Sequence, residues 1–247
     1  MIYVAIAITI ALTTAILVVL AIATMLSIAI LLQVCAMDSD RLEVVPRPDD
    51  EDLLTLATDH NDFATRSGYT WLGAYTMRPL ENVAILAWQT PDEQDYFLVY
   101  RTMLGNARRN LTSFCFVTIF DRERGHALAT VSATTSMLLP PAPGMFKQCF
   151  PKAGPEELRR HHDDARTYLE ANGLRESFDD APFEDVILEG TRRELRHTRS
   201  IPLWFIRAPW WYARRGRHAG RSVQDRYPPQ KVADAIRHEI PVVSVSI

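Results

Sequence analysis

The chain has 247 residues, of which 47% are hydrophobic and 23% are charged, and its formal net charge at pH 7 is −3. Its three cysteines, Cys35, Cys115 and Cys149, are too few and odd in number for a disulfide scaffold, and the acidic balance disfavours nucleic acid as a partner. Beyond an apolar first segment, the chain is long enough for one domain with a substantial core.

Residues 1–37 form an almost unbroken run of Ile, Val, Leu and Ala, with no charged side chain before Asp38. A helix of roughly 20 apolar residues crosses a bilayer core of about 30 Å, so this run is long enough to span it. A cleaved signal peptide would begin with basic residues and would carry a much shorter apolar region. The sequence therefore predicts a single-pass transmembrane anchor over 1–37 that is not cleaved.

Residues 38–50 are predicted to be a short linker, because Pro46 and Pro48 prevent the helix from continuing. Arg41 and Arg47 follow the anchor, whereas no Lys or Arg precedes it. Cytoplasmic flanks carry an excess of Lys and Arg, so this asymmetry favours a cytoplasmic location for the rest of the chain. That remainder, 51–247, is predicted to form one soluble α+β domain.

The domain begins with a predicted helix over 51–66, with an aspartate at its start and Ser67-Gly68 at its end. Segments rich in β-branched and aromatic residues then predict strands separated by short turns. Five strands cover 69–77, 83–89, 95–103, 112–121 and 126–137, and 145–150 is a candidate sixth. Such short connections join antiparallel neighbours, so we expect a meander sheet of about five to six strands, covered by helices.

Helices are predicted again after the sheet. One covers 155–172 and starts with a proline and acidic residues, which suit a first turn. A second runs from about 179 to 199 and carries arginines, including Arg193, on its outer face. A short helix starts near Pro229, and 242–247 alternates like an added edge strand.

The fifth predicted strand is unusual because most of its side chains from Ala127 to Ser136 are small. Small side chains let another backbone or a ligand come close. Two interpretations follow. Either a helix docks flush against this strand, or the strand lines a binding groove, since ligand pockets are concave and largely apolar.

His161, His162 and Asp163 are the candidate catalytic residues, because a histidine with a nearby carboxylate can perform acid-base chemistry. Adjacent residues on a helix diverge by about 100°, so this cluster lacks the spacing of a zinc-binding helix, and neither metal nor cofactor is predicted. The sequence contains no phosphate-binding glycine loop, Gly-x-Ser-x-Gly elbow, HExxH or CxxC motif. No motif therefore indicates an enzyme.

The stretch 201–217 combines tryptophans with arginines but is too short and too charged to span a bilayer. Aromatic rings suit headgroup depth and guanidinium groups suit lipid phosphates, so the stretch is typical of an interfacial segment. The candidate membrane-surface residues are Trp204, Arg207, Trp210, Trp211, Tyr212, Arg214, Arg215 and Arg217. The alternative is that the tryptophans belong to the core and the arginines are solvated.

Together these features predict a single-pass membrane protein whose soluble domain is a binding or interaction module at the membrane surface. The expected partners are the lipid bilayer, anionic lipid headgroups or another membrane protein, and no nucleic acid is expected. Two alternatives are a membrane-bound, hydrolase-like enzyme that uses a histidine and carboxylate pair, and an accessory subunit of a membrane complex.

Overall fold

The computed structural model describes residues 41–78, 80–91, 95–103, 110–137, 139–175 and 181–237, together with scattered positions between 10 and 25. The predicted anchor over 1–37 lies mostly outside the described residues, and the predicted edge strand over 242–247 lies wholly outside them. At the scattered positions the chain is helical, and Thr14 Oγ1 donates a 2.9 Å hydrogen bond to the carbonyl of Ile10. Within the described residues, no helix has the length and apolar character needed to cross a membrane.

A seven-stranded sheet forms the centre of the domain, and its strands lie side by side in chain order. The strands are β1 (Glu43–Pro46), β2 (Thr70–Arg78), β3 (Leu80–Gln89), β4 (Asp95–Met103), β5 (Asn110–Asp121), β6 (His126–Val131) and β7 (Met145–Cys149). Neighbouring strands pair antiparallel, except for the parallel pair β6 and β7. The predicted α+β domain with a meander sheet is therefore confirmed, with seven strands where five to six were expected and with one parallel pair at its end.

Strand β1 lies inside the segment that was predicted to be a linker. Val44 and Val45 favour an extended backbone, and Pro46 is tolerated because β1 is an edge strand. Leu42, just before the strand, is 1% exposed and belongs to the core. The chain therefore joins the domain soon after residue 40.

Strand β6 is shorter than predicted and ends at Val131. Beyond it the chain forms a short 3-10 helix (Thr134–Met137), which the Ser and Thr residues there favour over a continued ladder. The chain must then travel back along the sheet, because β7 runs parallel to β6. Antiparallel pairing of 145–150 would not have required this return.

The helices are α1 (Glu51–Arg66), α2 (Pro155–Ala171), α3 (Phe183–Ser200), α4 (Trp204–Arg214), α5 (Val223–Arg226) and α6 (Pro229–Arg237). The predicted positions of α1, α2 and α3 agree with these bounds. Asp50 caps α1, because its Oδ1 accepts a 3.1 Å hydrogen bond from the backbone N–H of Leu53. Helix α4 occupies the centre of the aromatic and basic stretch.

The sheet is covered on both faces. On one face, Phe63 of α1 and Leu158 of α2 pack in a cluster with Phe116 of β5. On the other face, Val186 of α3 packs in a cluster with Cys115 of β5. Strand β5 is therefore buried on both sides, as its continuous apolar sequence requires, and each face of β6 contacts a different helix.

Candidate functional site

His162 lies on the side of α2 that packs against the sheet, and it is 1% exposed. Its Nε2 is 2.8 Å from Oγ1 of Thr118 on β5, and its Nδ1 is 2.9 Å from Oγ1 of Thr130 on β6. Each ring nitrogen of His162 is therefore hydrogen-bonded to a threonine hydroxyl group. Helix and sheet meet here in a filled polar contact.

The neighbours of these hydroxyl groups fix the direction of each hydrogen bond. Thr118 donates its hydroxyl proton to Oδ1 of Asp95, so Nε2 of His162 must be the donor toward Thr118. The side-chain amide of Gln148 donates to Oγ1 of Thr130 at 2.9 Å, which leaves the hydroxyl proton of Thr130 for Nδ1.

Asp95 is the acidic end of this hydrogen-bonded chain and lies directly opposite Thr118 in the register of β4 and β5. Nη1 of Arg166 donates to its Oδ2 at 2.8 Å. Burial by itself raises the pKa of Asp95, but the contacts with His162 and Thr118 and the charge of Arg166 outweigh it, so the pKa is lowered. Asp95 is therefore ionised at neutral pH.

The other two candidate catalytic residues lie apart from this chain. The ring of His161 stacks on Phe150, with centroids 3.7 Å apart and an interplanar angle of 5°. The side chain of Asp163 is 53% exposed and lies 3.5 Å from the guanidinium of Arg159, one turn earlier on α2. The structure therefore pairs His162 with Asp95, through Thr118, and not with Asp163.

Helix α4 divides its apolar side chains between two directions. Trp204, Trp211 and Tyr212 are half-buried and pack around Ala208 and Leu139. The remaining large apolar side chains are between 51% and 61% exposed, and they are Leu203, Phe205, Ile206 and Trp210. The rings that face the domain are thus partly core, whereas Trp210 is exposed.

Most arginines of this stretch are exposed, whereas Arg215 is half-buried. The guanidinium of Arg214 lies 3.4 Å from the ring centroid of Trp210, and that of Arg215 lies 3.9 Å from the centroid of Tyr212. Arg207 and Arg217 are exposed. Between residues 192 and 221 the sequence contains one carboxylate, that of Glu194, so this surface is positively charged.

Sequence reasoning missed Leu203, Phe205 and Ile206 as exposed apolar residues. In a short helix with a proline inside it, the apolar pattern does not show which side faces the domain. Leu203 also has a φ of +56°, a left-handed conformation that costs a leucine roughly 1–2 kcal/mol. No signal in the sequence marks this residue, where a glycine would be expected.

A cavity of about 300 Å³ lies between α3 and the strands β5 to β7, on the sheet face opposite His162. Ala127 and Ala129 form its floor, and Gly190 of α3 lies in its roof. Each interpretation of the small-residue strand therefore applies to one face of β6. Helix α2 docks against the face of Thr130, whereas α3 leaves space above the alanines.

Arg193 was expected on the outer face of α3 and instead lies at this cavity. Its Nη2 donates 2.9 Å hydrogen bonds to the carbonyl of Arg122 and to Oε1 of Glu189. The long aliphatic stem of an arginine allows the charged group to reach around the helix, which a helical-wheel argument does not capture. The charged residues at the cavity therefore come from α3, from the end of β5 and its turn into β6, and, with Lys147, from β7.

Among the described residues, no group of three or more His, Cys, Asp or Glu side chains is arranged to hold a metal ion. Cys115 and Cys149 are buried free thiols. Burial raises the pKa of Cys115 to about 12 and that of Cys149 to about 11, so neither is a reactive nucleophile in the folded domain. Comparison with models of protein families, with curated proteins and with solved structures found no match to this chain.

Proposed function

We propose that this protein is a membrane-tethered binding module whose domain docks on an anionic bilayer surface through α4. The observation that supports the proposal is the exposed apolar side of α4, formed by Leu203, Phe205, Ile206 and Trp210. Contiguous exposed apolar surface is uncommon on soluble domains and marks sites of association. Here arginines lie around the apolar side of α4. We therefore expect a partner with an apolar interior and an anionic surface.

A bilayer surface meets both requirements. Burying apolar surface contributes about 25 cal/mol per Å², and each arginine near an anionic leaflet adds about 1 kcal/mol. Arg214 already shields the ring of Trp210, as an arginine does when an aromatic side chain lies at headgroup depth. The same helix thus carries the two kinds of group that interfacial helices use.

The predicted anchor provides the second contact with the membrane. Strand β1 begins at Glu43, so residues 38–42 lie between the domain and residue 37, where the anchor is predicted to end. A segment of this length spans at most about 18 Å when fully extended. The domain is therefore held against the bilayer, where docking of α4 needs little additional ordering.

The hydrolase alternative is less well supported. Both ring nitrogens of His162 are engaged by Thr118 and Thr130, and the ring is 1% exposed. A substrate would have to break this hydrogen-bonded chain before the ring could accept a proton. The accessory-subunit alternative shares the anchor with our proposal and differs in what α4 contacts.

The test uses the full chain reconstituted into vesicles that contain brominated phosphatidylcholine, with or without phosphatidylserine. Bromine quenches tryptophan emission at the depth of the acyl chains. We expect quenching that increases with phosphatidylserine and that falls in the double variant Phe205→Asp/Ile206→Asp. Leu54→Asp is the matched control, because Leu54 is 39% exposed on α1.

Equal quenching of the double variant and the unchanged protein would contradict docking through α4. A different result would favour the accessory-subunit alternative. In that result, neither the unchanged protein nor the double variant is quenched, and a second membrane protein co-purifies after mild solubilisation.

A further inference from the structure

We infer that the cavity between α3 and the sheet binds a small amphipathic monoanion, a medium-chain carboxylate, with its charged group on Lys147 and its apolar chain over Ala127 and Ala129. This site is separate from α4 and does not depend on membrane docking. The cavity's volume of about 300 Å³ is at the lower end of ligand pockets. At about 30 Å³ for each water-sized group, it holds roughly ten non-hydrogen atoms.

The cavity is open where small residues face each other, with Gly190 in its roof and Ala127 and Ala129 in its floor. A β-carbon built on Gly190 would meet no atom within 4 Å outside its own helix backbone, so an alanine would fit there. Glycine inside a helix is destabilising relative to alanine, and this one leaves open space above the alanines of β6. The floor continues across the sheet, since Val117, Ala129 and Lys147 lie side by side in the register of β5, β6 and β7.

Lys147 is the polar group best placed to bind a ligand. Its side chain is 10% exposed, and its ammonium forms an ion pair with Glu194 of α3. An ammonium has three N–H donors, and within the described part of the chain Glu194 is the one ion-pair partner of Lys147. A carboxylate entering the cavity would take a further donor, whereas an amine would have to compete with Lys147 for Glu194.

The charges around the cavity also favour an anion. Its lining contains Arg122, Arg193 and Lys147 as cations, and Glu189, Glu194 and Asp121 as anions. Asp121 lies 3.6 Å from Arg124, outside the cavity, so it is partly neutralised there. His126 also lines the cavity, and burial lowers its pKa, so its ring adds no charge at neutral pH. When Arg124 is counted with the Asp121 that it pairs with, four cations stand against three carboxylates at the cavity, an excess of one positive charge.

The two ion pairs at the cavity differ in exposure, which distinguishes an entrance from a buried end. Arg122 and Glu189 pair at 2.8 Å at the turn between β5 and β6, with side chains 28% and 35% exposed. Lys147 and Glu194 are more deeply buried, at 10% and 16%. The ligand thus enters past the Arg122 and Glu189 pair.

The test is isothermal titration of sodium octanoate into the full chain in nanodiscs, with empty nanodiscs as the blank. We expect saturable binding with one site per chain, and at least tenfold weaker binding of octylammonium and of octanol. Gly190→Leu should fill the cavity and weaken octanoate binding at least tenfold. Arg196→Leu adds the same side chain to the exposed face of α3 and should bind like the unchanged protein.

A double variant, Lys147→Met/Glu194→Leu, separates charge recognition from folding. Replacing both members of a buried ion pair with apolar residues commonly preserves the fold, which thermal unfolding would verify. The variant should bind octanol and octanoate alike. The proposal is overturned if the unchanged protein gives no saturable heat, if octylammonium binds as well as octanoate, or if Gly190→Leu leaves binding unchanged.

Discussion

Gly125 and Arg193 are in direct contact where the turn between β5 and β6 meets α3. A β-carbon on Gly125 would lie 1.3 Å from Nη1 of Arg193, and Gly125 itself has a φ of +74°. Glycine is favoured at this position for two reasons. Its backbone is left-handed, and the guanidinium of Arg193 lies where a β-carbon would be. This contact joins the β5 to β6 turn to the helix that roofs the cavity.

Gly125→Ala should therefore destabilise the domain more than the same change at Gly220. Gly220 has the same φ of +74° but open space around its Cα, so it reports the backbone cost alone, about 1 kcal/mol. At Gly125 the displacement of Arg193 should add about 1–3 kcal/mol. Urea unfolding of the two variants measures the difference, and equal losses would show that the contact with Arg193 contributes nothing.

The ionised carboxylate of Asp95 should give the protein an acid-sensitive stability. Its pKa is lowered in the folded state, so its contribution is complete above the unfolded-state pKa, about 4, and is lost as the pH falls through the folded-state pKa. Asp95→Asn should cost about 1.5–3 kcal/mol at pH 7 and should flatten the loss of stability as the pH falls below about 4.

The measurement for Asp95 is the free energy of unfolding in urea at several pH values. Asp163→Asn is the control, because the side chain of Asp163 is half exposed to solvent. It should keep the acid dependence of the unchanged protein. An unaltered acid dependence in Asp95→Asn would show that other carboxylates control acid unfolding.

Thr130→Val should reveal how much the buried hydrogen-bonded chain contributes. Valine has the same shape, but it leaves Nδ1 of His162 and the amide of Gln148 without the hydroxyl between them. Each unmade buried hydrogen bond costs about 1–3 kcal/mol, so a loss of at least that size is expected in urea unfolding. Thr55→Val, at an exposed position of α1, should change stability by less than about 0.5 kcal/mol.

The two buried thiols should be unreactive until the domain unfolds. In a Cys35→Ser background, Cys115 and Cys149 have pKa values raised by burial to about 12 and about 11, so almost no thiolate is present at pH 8. Reaction with Ellman's reagent should be at least about 100-fold slower in buffer than in concentrated urea. Rapid reaction of either thiol in buffer would mean that the domain opens readily at that strand.

The sequence predicts α1, α2, α3, α6 and most strands of this fold, and it misses α4, which contains a proline, and the four-residue α5. It missed β1, since four residues beside two prolines are too short a pattern to distinguish from a linker. It did not predict the parallel pairing of β7, which depends on the path of 132–144 and on Ala219 beyond it, a residue that bridges to Cys149. Both failures concern edges of the sheet, where pairing is decided by distant segments.

The candidate sites follow the same pattern. His162 was identified as a candidate, but its partner Asp95 lies on a strand far away in sequence, and no local spacing indicates that pair. The cavity follows from Gly190 on α3 and the alanines on β6, whose meeting requires the tertiary fold. The aromatic and basic stretch was recognised from its composition alone. Its composition did not show which of its side chains are buried and which are exposed.

The order of the strands has a consequence for how the chain is made. Each strand pairs with the strand synthesised just before it, so the sheet can grow by one strand at a time while the chain is still emerging. The closing contact is different, because Nη2 of Arg192 donates to the carbonyl of Leu42 across 150 residues. This contact can form only after α3 has been synthesised, so until then β1 is held at the edge of the sheet by its pairing with β2.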